Sequence, residues 1–189
     1  CVKGGYTIQD IQTIIPDLVA AGADLINVSF GTHGSPEVNT DTPNASAPVE
    51  YDPGFKAYLA RKVKEVTNVP VISVGRYTDP FLMDDVIARG DADLIAVGRQ
   101  HLADPDFLKN AVAGHPEDTL ECLACNQGCI EREALEQKPV RCAINPETGQ
   151  ELLRPAGPAK NKQNVWVVGG GPAGLTAALE AARLGHRVT

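Results

Sequence analysis

The amino-acid sequence predicts an α/β protein built from three successive parts, and three features of the chain support this fold class. Short apolar strands alternate with amphipathic helices over residues 1–115, which is typical of a parallel sheet with helical crossovers. Four cysteines cluster within residues 116–150, and a glycine-rich turn follows an apolar strand within residues 164–189. A polar, proline-containing segment over residues 151–163 is the predicted linker before the third part.

Composition and charge limit the classes of function. The 189 residues are 43% hydrophobic and 22% charged, with a formal net charge of −7, as in a globular protein. The negative charge argues against nucleic acid or an anionic membrane surface as a partner, and no apolar run approaches the roughly 20 residues of a membrane span. We expect a cytoplasmic protein with a small-molecule substrate, as a monomer or an oligomer. The chain opens at Cys1 and ends within an apparent strand, so we expect a fragment of a longer protein.

The helices of residues 1–115 are predicted from capping residues and prolines. Thr7 and Asp10 form a potential capping box, and apolar residues then fall on one helical face, with Pro16 as a potential kink or break. Later helices are expected after aspartate–proline pairs, because aspartate favours the N-cap and proline the first turn. Three such pairs occur: Asp52-Pro53, Asp79-Pro80 and Asp104-Pro105.

The strands of this part leave two architectures open, an open doubly wound sheet and the C-terminal part of a (β/α)8 TIM barrel. The predicted strands are Leu25–Ser29, Val71–Val74 and Leu94–Val97. The strand ends favour the barrel, because Gly75-Arg76 and Gly98-Arg99 follow consecutive strands, where such barrels commonly bind phosphate. Glycine lets backbone N–H groups approach a phosphate, and arginine supplies a charged fork. A glycine turn with a solvated arginine is the alternative at either position.

Four of the five cysteines form a candidate metal site with the spacing C-x2-C-x3-C-x12-C: Cys122, Cys125, Cys129 and Cys142. Four thiolates suit an iron–sulfur cluster or a structural zinc. Three clustered ligands plus one remote ligand favour the cluster, because zinc sites usually pair two C-x2-C hairpins. Disulfides are least favoured, since nothing in the sequence indicates secretion. Next to the ligands, we expect unusual backbone angles at Gly128, and N–H groups offered to sulfur by Asn126 and Gln127.

The third part carries a G-x-G-x-x-G pattern at Gly169, Gly171 and Gly174. The pattern follows an apolar strand, Val165–Val168, and opens an alanine-rich helix that ends at Gly185. This context predicts a dinucleotide-binding turn with the pyrophosphate at the helix N-terminus. A tight turn without a ligand is the alternative, and the residues do not distinguish FAD, NAD and NADP.

The order of these motifs resembles the iron–sulfur branch of the Old Yellow Enzyme family. VPVISVGRYTDP and DADLIAVGRQHLADPDF are similar to the last two barrel strands of that family, and the cysteines and VVGGGPAGL follow in the same order. The resemblance covers essentially the whole chain. It implies a [4Fe-4S] cluster on the four cysteines, FAD on the glycine-rich turn, and FMN at the barrel mouth on Gly75, Arg76, Gly98 and Arg99.

The resemblance also implies an activity. We expect an oxidoreductase in which electrons from NAD(P)H pass through FAD and the cluster to FMN, and then to an activated C=C bond of an enoate or dienoyl-CoA type. An amine dehydrogenase is the enzymatic alternative, and a zinc-stabilised βα binding module is the non-catalytic one. His33, in SFGTHG, resembles a histidine that assists proton delivery, although it also fits a solvated loop. Gln100 departs from the family, which often has proline there, and the family's tyrosine acid is absent.

Overall fold

A computed structural model of the chain describes residues 5–31, 45–153 and 157–189. The chain divides into two compact units, Cys1–Gly149 and Gln150–Thr189. The first unit contains α1 (Ile8–Ala20), β1 (Ile26–Val28), α2 (Ala57–Lys64), β2 (Val71–Val74), α3 (Pro80–Ala88), β3 (Leu94–Ala96), α4 (Arg99–Ala103), α5 (Phe107–Val112), a 3-10 turn (Pro116–Asp118), a π-helical turn (Gln127–Glu131) and α6 (Arg132–Ala134). The second contains a 3-10 turn (Glu151–Leu153), β4 (Asn164–Val165), α7 (Pro172–Arg183) and β5 (Arg187–Val188).

Helix α1 confirms the predicted capping box. The Thr7 side chain accepts the N–H of Asp10 at 3.2 Å, and the Asp10 carboxylate accepts the N–H of Thr7 at 2.7 Å. These two bonds satisfy N–H groups that the first helical turn leaves without partners. Pro16 lies inside the helix without dividing it, because α1 continues to Ala20.

Only the second of the three aspartate–proline pairs begins a helix as predicted. Asp79 is the N-cap of α3, and its carboxylate accepts the N–H two residues later at 2.9 Å. The prediction for Asp52 is wrong, because a turn intervenes before α2 begins. In that turn Gly54 has a left-handed φ of +71° and donates its N–H to the carbonyl of Gly75 at 2.8 Å. The prediction for Asp104 is also wrong, since Asp106 precedes α5.

The three strands of the first unit form a parallel sheet in the order β1-β2-β3. Ile26 pairs with Val71, and Ile72 pairs with Leu94, so the carboxyl ends of all three strands lie at one edge. β1 and β3 are shorter than predicted, whereas β2 has the predicted bounds. The helices pack on the sheet around a core of buried apolar side chains: Ile15, Ala57, Ala60, Val63, Val71, Tyr77, Met83, Val86, Ala92 and Phe107.

The second unit is one βαβ element. β4 and β5 pair in parallel, and α7 connects them. Part of the predicted linker belongs to this unit, because Ala159 donates its N–H to the carbonyl of Leu184, and Gln163 accepts the N–H of Arg187. Among the described residues, no helix combines the length and the apolar character needed to cross a membrane.

Candidate cofactor and metal sites

The two predicted glycine–arginine pairs lie together at the carboxyl edge of the sheet. Arg76 has a left-handed φ of 56°, and its Nη1 donates to the carbonyl of Tyr51. Its Nε is buried and has no hydrogen-bond partner in the described parts of the chain. Because a buried donor without a partner is costly, this nitrogen indicates that a further acceptor belongs at the strand end.

The two glycines of these pairs have different surroundings. A Cβ at Gly75 would lie 3.0 Å from the Cβ of Lys56, so this glycine allows close packing. A Cβ at Gly98 would contact nothing within 4 Å among the described residues, and Gly98 is exposed. Of these two glycines, Gly98 is thus the one beside which the described residues leave open space, which an anionic group could occupy.

Lys56 is a residue of this edge that sequence reasoning missed. It is only 2% exposed, and its Nζ donates to the carbonyls of Phe30 at 2.5 Å and Ala45 at 3.2 Å. The Nζ also lies 5.2 Å from the ring centre of Phe55. Burial, together with the charge of Arg99, lowers the pKa of Lys56. Lys56 precedes the buried residues Ala60 and Val63 of α2 by four and seven positions, and this helical spacing could have identified it as buried.

Lys56, Arg76 and Arg99, which we call the strand-end cations, share one property. None of them is within 4 Å of a carboxylate among the described residues, and each instead donates to uncharged oxygens. Positive charge without a neighbouring carboxylate favours the binding of an anion. The edge therefore fits the phosphate of a flavin nucleotide.

Arg99 extends from the strand end toward the cysteine segment. Its Nη1 donates to Oδ1 of Asn126 at 2.5 Å, and its Nη2 donates to the carbonyl of Ala47 at 2.7 Å. Asn126 also donates from its amide to the carbonyl of Ser46 at 2.8 Å. The guanidinium of Arg99, which the sequence analysis assigned to a phosphate, thus also connects the start of α4 to the cysteine segment.

The four cysteines come together around one pocket, and all four thiols are free and partly buried. The pocket is also lined by Arg99, Arg141 and apolar side chains, which are Leu102, Leu123, Ala143 and Ile144. In the described parts of the chain, no group of three or more His, Cys, Asp or Glu side chains is arranged to hold a metal ion. The pocket does bring together the four thiols that the sequence predicted as ligands of one metal centre.

The backbone of the cysteine segment differs from the prediction. The side-chain amide of Asn126 donates to the carbonyl of Ser46, and the N–H of Ala124 is the group that donates to Sγ of Cys122, at 3.4 Å. Between the first and third cysteines, Ala124 and Asn126 have left-handed φ of 53° and 61°, whereas Gly128 does not have a positive φ. Gly128 is needed for space, since a Cβ there would lie 2.7 Å from the carbonyl oxygen of Arg141.

The thiol of Cys129 has a raised pKa in this pocket. Burial raises the pKa, while the positive charge of Arg99 lowers it in part. A metal centre that bound Cys129 would take the thiolate form, so binding would release a proton from this buried thiol.

Gln100, which departs from the family pattern, holds the start of the cysteine segment. Its side chain is 1% exposed; Nε2 donates to the carbonyl of Leu120 at 2.9 Å, and Oε1 accepts the N–H of Cys122 at 2.8 Å. The buried carboxylate of Asp104 accepts the N–H of Leu120 at 3.1 Å. The backbone around the first cysteine is thus fixed by two side chains from α4 and its C-terminal end.

The glycine-rich turn of the second unit depends on backbone geometry. Gly169 has a φ of +113°, and Gly171 is the N-cap of α7. A Cβ at Gly174 would lie 2.0 Å from the carbonyl oxygen of Gly169, a distance that no side chain can tolerate. This packing brings the free N–H groups of α7 to the end of β4, where they fit a dinucleotide pyrophosphate.

His33 lies outside the described residues, so its predicted role in proton delivery stays a prediction. Cys1 also lies outside them.

Residues 9–118 match the NADH:flavin oxidoreductase / NADH oxidase family, and residues 164–189 match an FAD binding domain. The first match covers more than half of the chain, and the chain therefore belongs to this family of flavin-dependent oxidoreductases. The predicted resemblance and the predicted enzyme class are confirmed. The matches also support FMN and FAD as cofactors.

Similar proteins agree with this assignment. An NADH oxidase from Thermoanaerobacter brockii is 38% identical over 99% of the chain, and a cinnamate reductase from Clostridium sporogenes is 36% identical over 91%. The solved complex of a 2-naphthoyl-CoA reductase with 2-naphthoyl-CoA is 32% identical, with a TM-score of 0.84 over 98% of the chain. The barrel type is thereby favoured over the open sheet. The chain spans 28%, 25% and 27% of the lengths of these three proteins.

Proposed function

We propose that this chain is the electron-transfer portion of an NAD(P)H-dependent oxidoreductase that holds FMN, a [4Fe-4S] cluster and FAD in sequence order. One observation carries the proposal: the four cysteines line a single pocket that Arg99 connects to the carboxyl edge of a sheet from a flavin oxidoreductase family. A zinc site without redox function would not require this connection.

The residues have separate roles in this proposal. The strand-end cations and the open space at Gly98 would hold the FMN phosphate, with Gly75 keeping the edge closely packed. The four cysteines would ligate the cluster, and Gln100 would hold the first of them in place. The turn from Gly169 to Gly174 would receive the FAD pyrophosphate on the N-terminus of α7.

The bound groups would supply the redox chemistry, in which electrons from NAD(P)H pass by way of FAD, the cluster and FMN to an activated C=C bond. A substrate of the enoate or acyl-CoA type is supported by the names of two similar proteins, a cinnamate reductase and a 2-naphthoyl-CoA reductase.

His33 would assist protonation of the substrate, and His33→Ala would then slow turnover by roughly 10²-fold with unchanged flavin content.

The proposal is tested on the complete protein after anaerobic purification. Iron, sulfide, zinc, FMN and FAD are quantified. NAD(P)H oxidation is measured with cinnamate, and amine oxidation is measured without NAD(P)H, from the reduction of an added artificial electron acceptor by a secondary methylamine. We expect iron and sulfide at the cysteines, both flavins, and oxidation of NAD(P)H that depends on cinnamate or a related enoate. Stoichiometric zinc with negligible iron would contradict the proposal, and oxidation of the amine would establish the amine-dehydrogenase alternative.

The FAD assignment has its own test in Gly174→Ala. The new Cβ must displace the carbonyl of Gly169, so we expect FAD affinity of the complete protein to fall by about 100-fold or more. Leu179→Ala is the control, because Leu179 is an exposed residue of α7 beyond the turn. Equal FAD content in the two variants would refute the proposed role of the turn.

A further inference from the structure

The cysteine pocket and the strand-end loop share one charged side chain. Arg99 begins α4 at the carboxyl edge of the sheet, yet its side chain also lines the pocket formed by the four cysteines. The guanidinium is held in place, since Asn126 and Ala47 each accept one of its N–H groups. Asn126 lies between the second and third cysteines in the sequence, so the charge is attached to the metal-binding segment itself.

No carboxylate of the described residues compensates the charge of Arg99, and both of its hydrogen-bond acceptors are uncharged oxygens. The side chain is partly buried, so water screens its charge less than that of an exposed arginine. Arg99 lines the same pocket as the four cysteines, so this charge lies beside the proposed ligands.

We propose that Arg99 is a positioning residue that sets the reduction potential of the metal centre, with Asn126 fixing its guanidinium against the cysteine segment. The inference rests on the proposed function, because it requires an iron–sulfur centre at the four cysteines. It assigns to Arg99 a role beyond the predicted contact with a flavin phosphate.

The direction of the effect follows from charge. Reduction adds one electron to a centre that four thiolates already make electron-rich, so the reduced form carries one more negative charge than the oxidised form. A fixed cation nearby stabilises the reduced form more than the oxidised form, and it therefore raises the reduction potential. Arg141 also lines the pocket, so its charge is retained in every variant below.

The test is a redox titration of the complete protein, with the reduced centre followed by electron paramagnetic resonance. For Arg99→Gln we expect the equilibrium constant for one-electron reduction to fall by about tenfold, which corresponds to about 59 mV. Arg99→Lys keeps the charge and should shift the constant by less than about threefold. Asn126→Asp places a carboxylate beside the guanidinium and should lower the potential as Arg99→Gln does. Arg61→Gln, at an exposed arginine paired with Asp91, is the control with the same loss of charge, and should have no effect.

The outcomes separate this inference from the proposed function. Zinc in the wild-type protein would contradict the proposed function, whereas an iron centre with an unchanged potential in Arg99→Gln would overturn only this inference. If Arg99→Gln does not retain iron, Asn126→Asp decides in the same way. Loss of iron from both of these variants but not from Arg99→Lys would support the requirement for positive charge. Loss of iron from all three variants would show that Arg99 has only a structural role.

Discussion

The two ends of the three-stranded sheet differ in how their charged side chains are paired. At the amino ends, Asp93 pairs with Lys64 at 2.6 Å, and Asp91 lies 3.7 Å from Arg61 and 3.2 Å from Arg89. At the carboxyl ends, the strand-end cations have no carboxylate partner among the described residues. Their donors bind carbonyl and amide oxygens instead.

This difference separates the amino ends of the strands, where charges are paired, from the carboxyl ends, which we call the binding end. Paired charges near the surface contribute little, typically about 0–1 kcal/mol each, and they leave no net field. Clustered cations without partners repel one another, as the effect of Arg99 on the pKa of Lys56 indicates. An arrangement that costs stability is expected where a ligand supplies the missing charge. In parallel α/β proteins that end is the carboxyl edge, where the βα loops gather.

Among the substitutions that compare the two ends of the sheet, the largest expected effect comes from Arg76→Met, which removes a cation from the binding end. Loss of a charge-assisted contact should weaken FMN binding by about 1.5–3 kcal/mol, or at least about tenfold. Fluorescence titration of the deflavinated complete protein with FMN measures this loss. Arg89→Met removes an arginine from the amino end and should leave FMN affinity unchanged. Equal losses in both variants would remove the distinction between the two ends.

Gln100→Leu tests how strongly the binding end depends on its buried hydrogen bonds. Removing the amide leaves the carbonyl of Leu120 and the N–H of Cys122 without these partners, at a cost of about 1–3 kcal/mol. We expect denaturant to release iron from this variant at a lower midpoint concentration. Gln12→Leu is the matched control, because Gln12 is a less buried amide on α1 that donates to the carbonyl of Lys62 at 2.7 Å. A midpoint as high as that of the wild-type protein would show that Gln100 does not hold the cysteine segment.

Gly98→Ala should have a smaller effect that separates binding from folding. A Cβ there meets no atom of the described residues within 4 Å, so the free energy of unfolding should change by no more than about 0.5 kcal/mol. The same methyl group would occupy the space proposed for the phosphate, and FMN affinity should fall by roughly fivefold. Unchanged FMN affinity would place the phosphate elsewhere.

The smallest expected effect is the pH-dependent contribution of Asp93, at the amino ends of the strands, to the free energy of unfolding. Hydrogen bonds from Lys64 and from the N–H of Val71 lower the pKa of this carboxylate. A lowered pKa means that its contribution is present above about pH 3.9 and is lost as pH falls through the folded-state pKa. Asp93→Asn should therefore weaken the acid dependence of the midpoint of urea unfolding below about pH 4, without changing FMN affinity. An acid dependence identical to that of the wild-type protein would show that the pair contributes nothing.

The sequence predicted the elements well where local rules decide them. The capping box at Thr7 and the helix start at Asp79 involve contacts within four residues, so their patterns can be read directly from the chain. Asp52 and Asp104 have the same pattern but different outcomes. In the first case the carbonyl of Gly75, which follows β2, accepts the N–H of Gly54. In the second, the Asp104 carboxylate accepts the N–H of Asp106 and that of the distant Leu120, and α5 begins only at Phe107.

The cysteine spacing, the glycine–arginine pairs and the glycine-rich turn are properties of the sequence itself, and they were sufficient to predict the family and the candidate site residues. Only the tertiary structure decided where the charges act. Lys56 is buried because its helix turns it toward the carbonyls of Phe30 and Ala45, and Arg99 reaches Asn126 from 27 positions away. Such contacts depend on which chain segments pack side by side, and this packing cannot be inferred from a local pattern of residues.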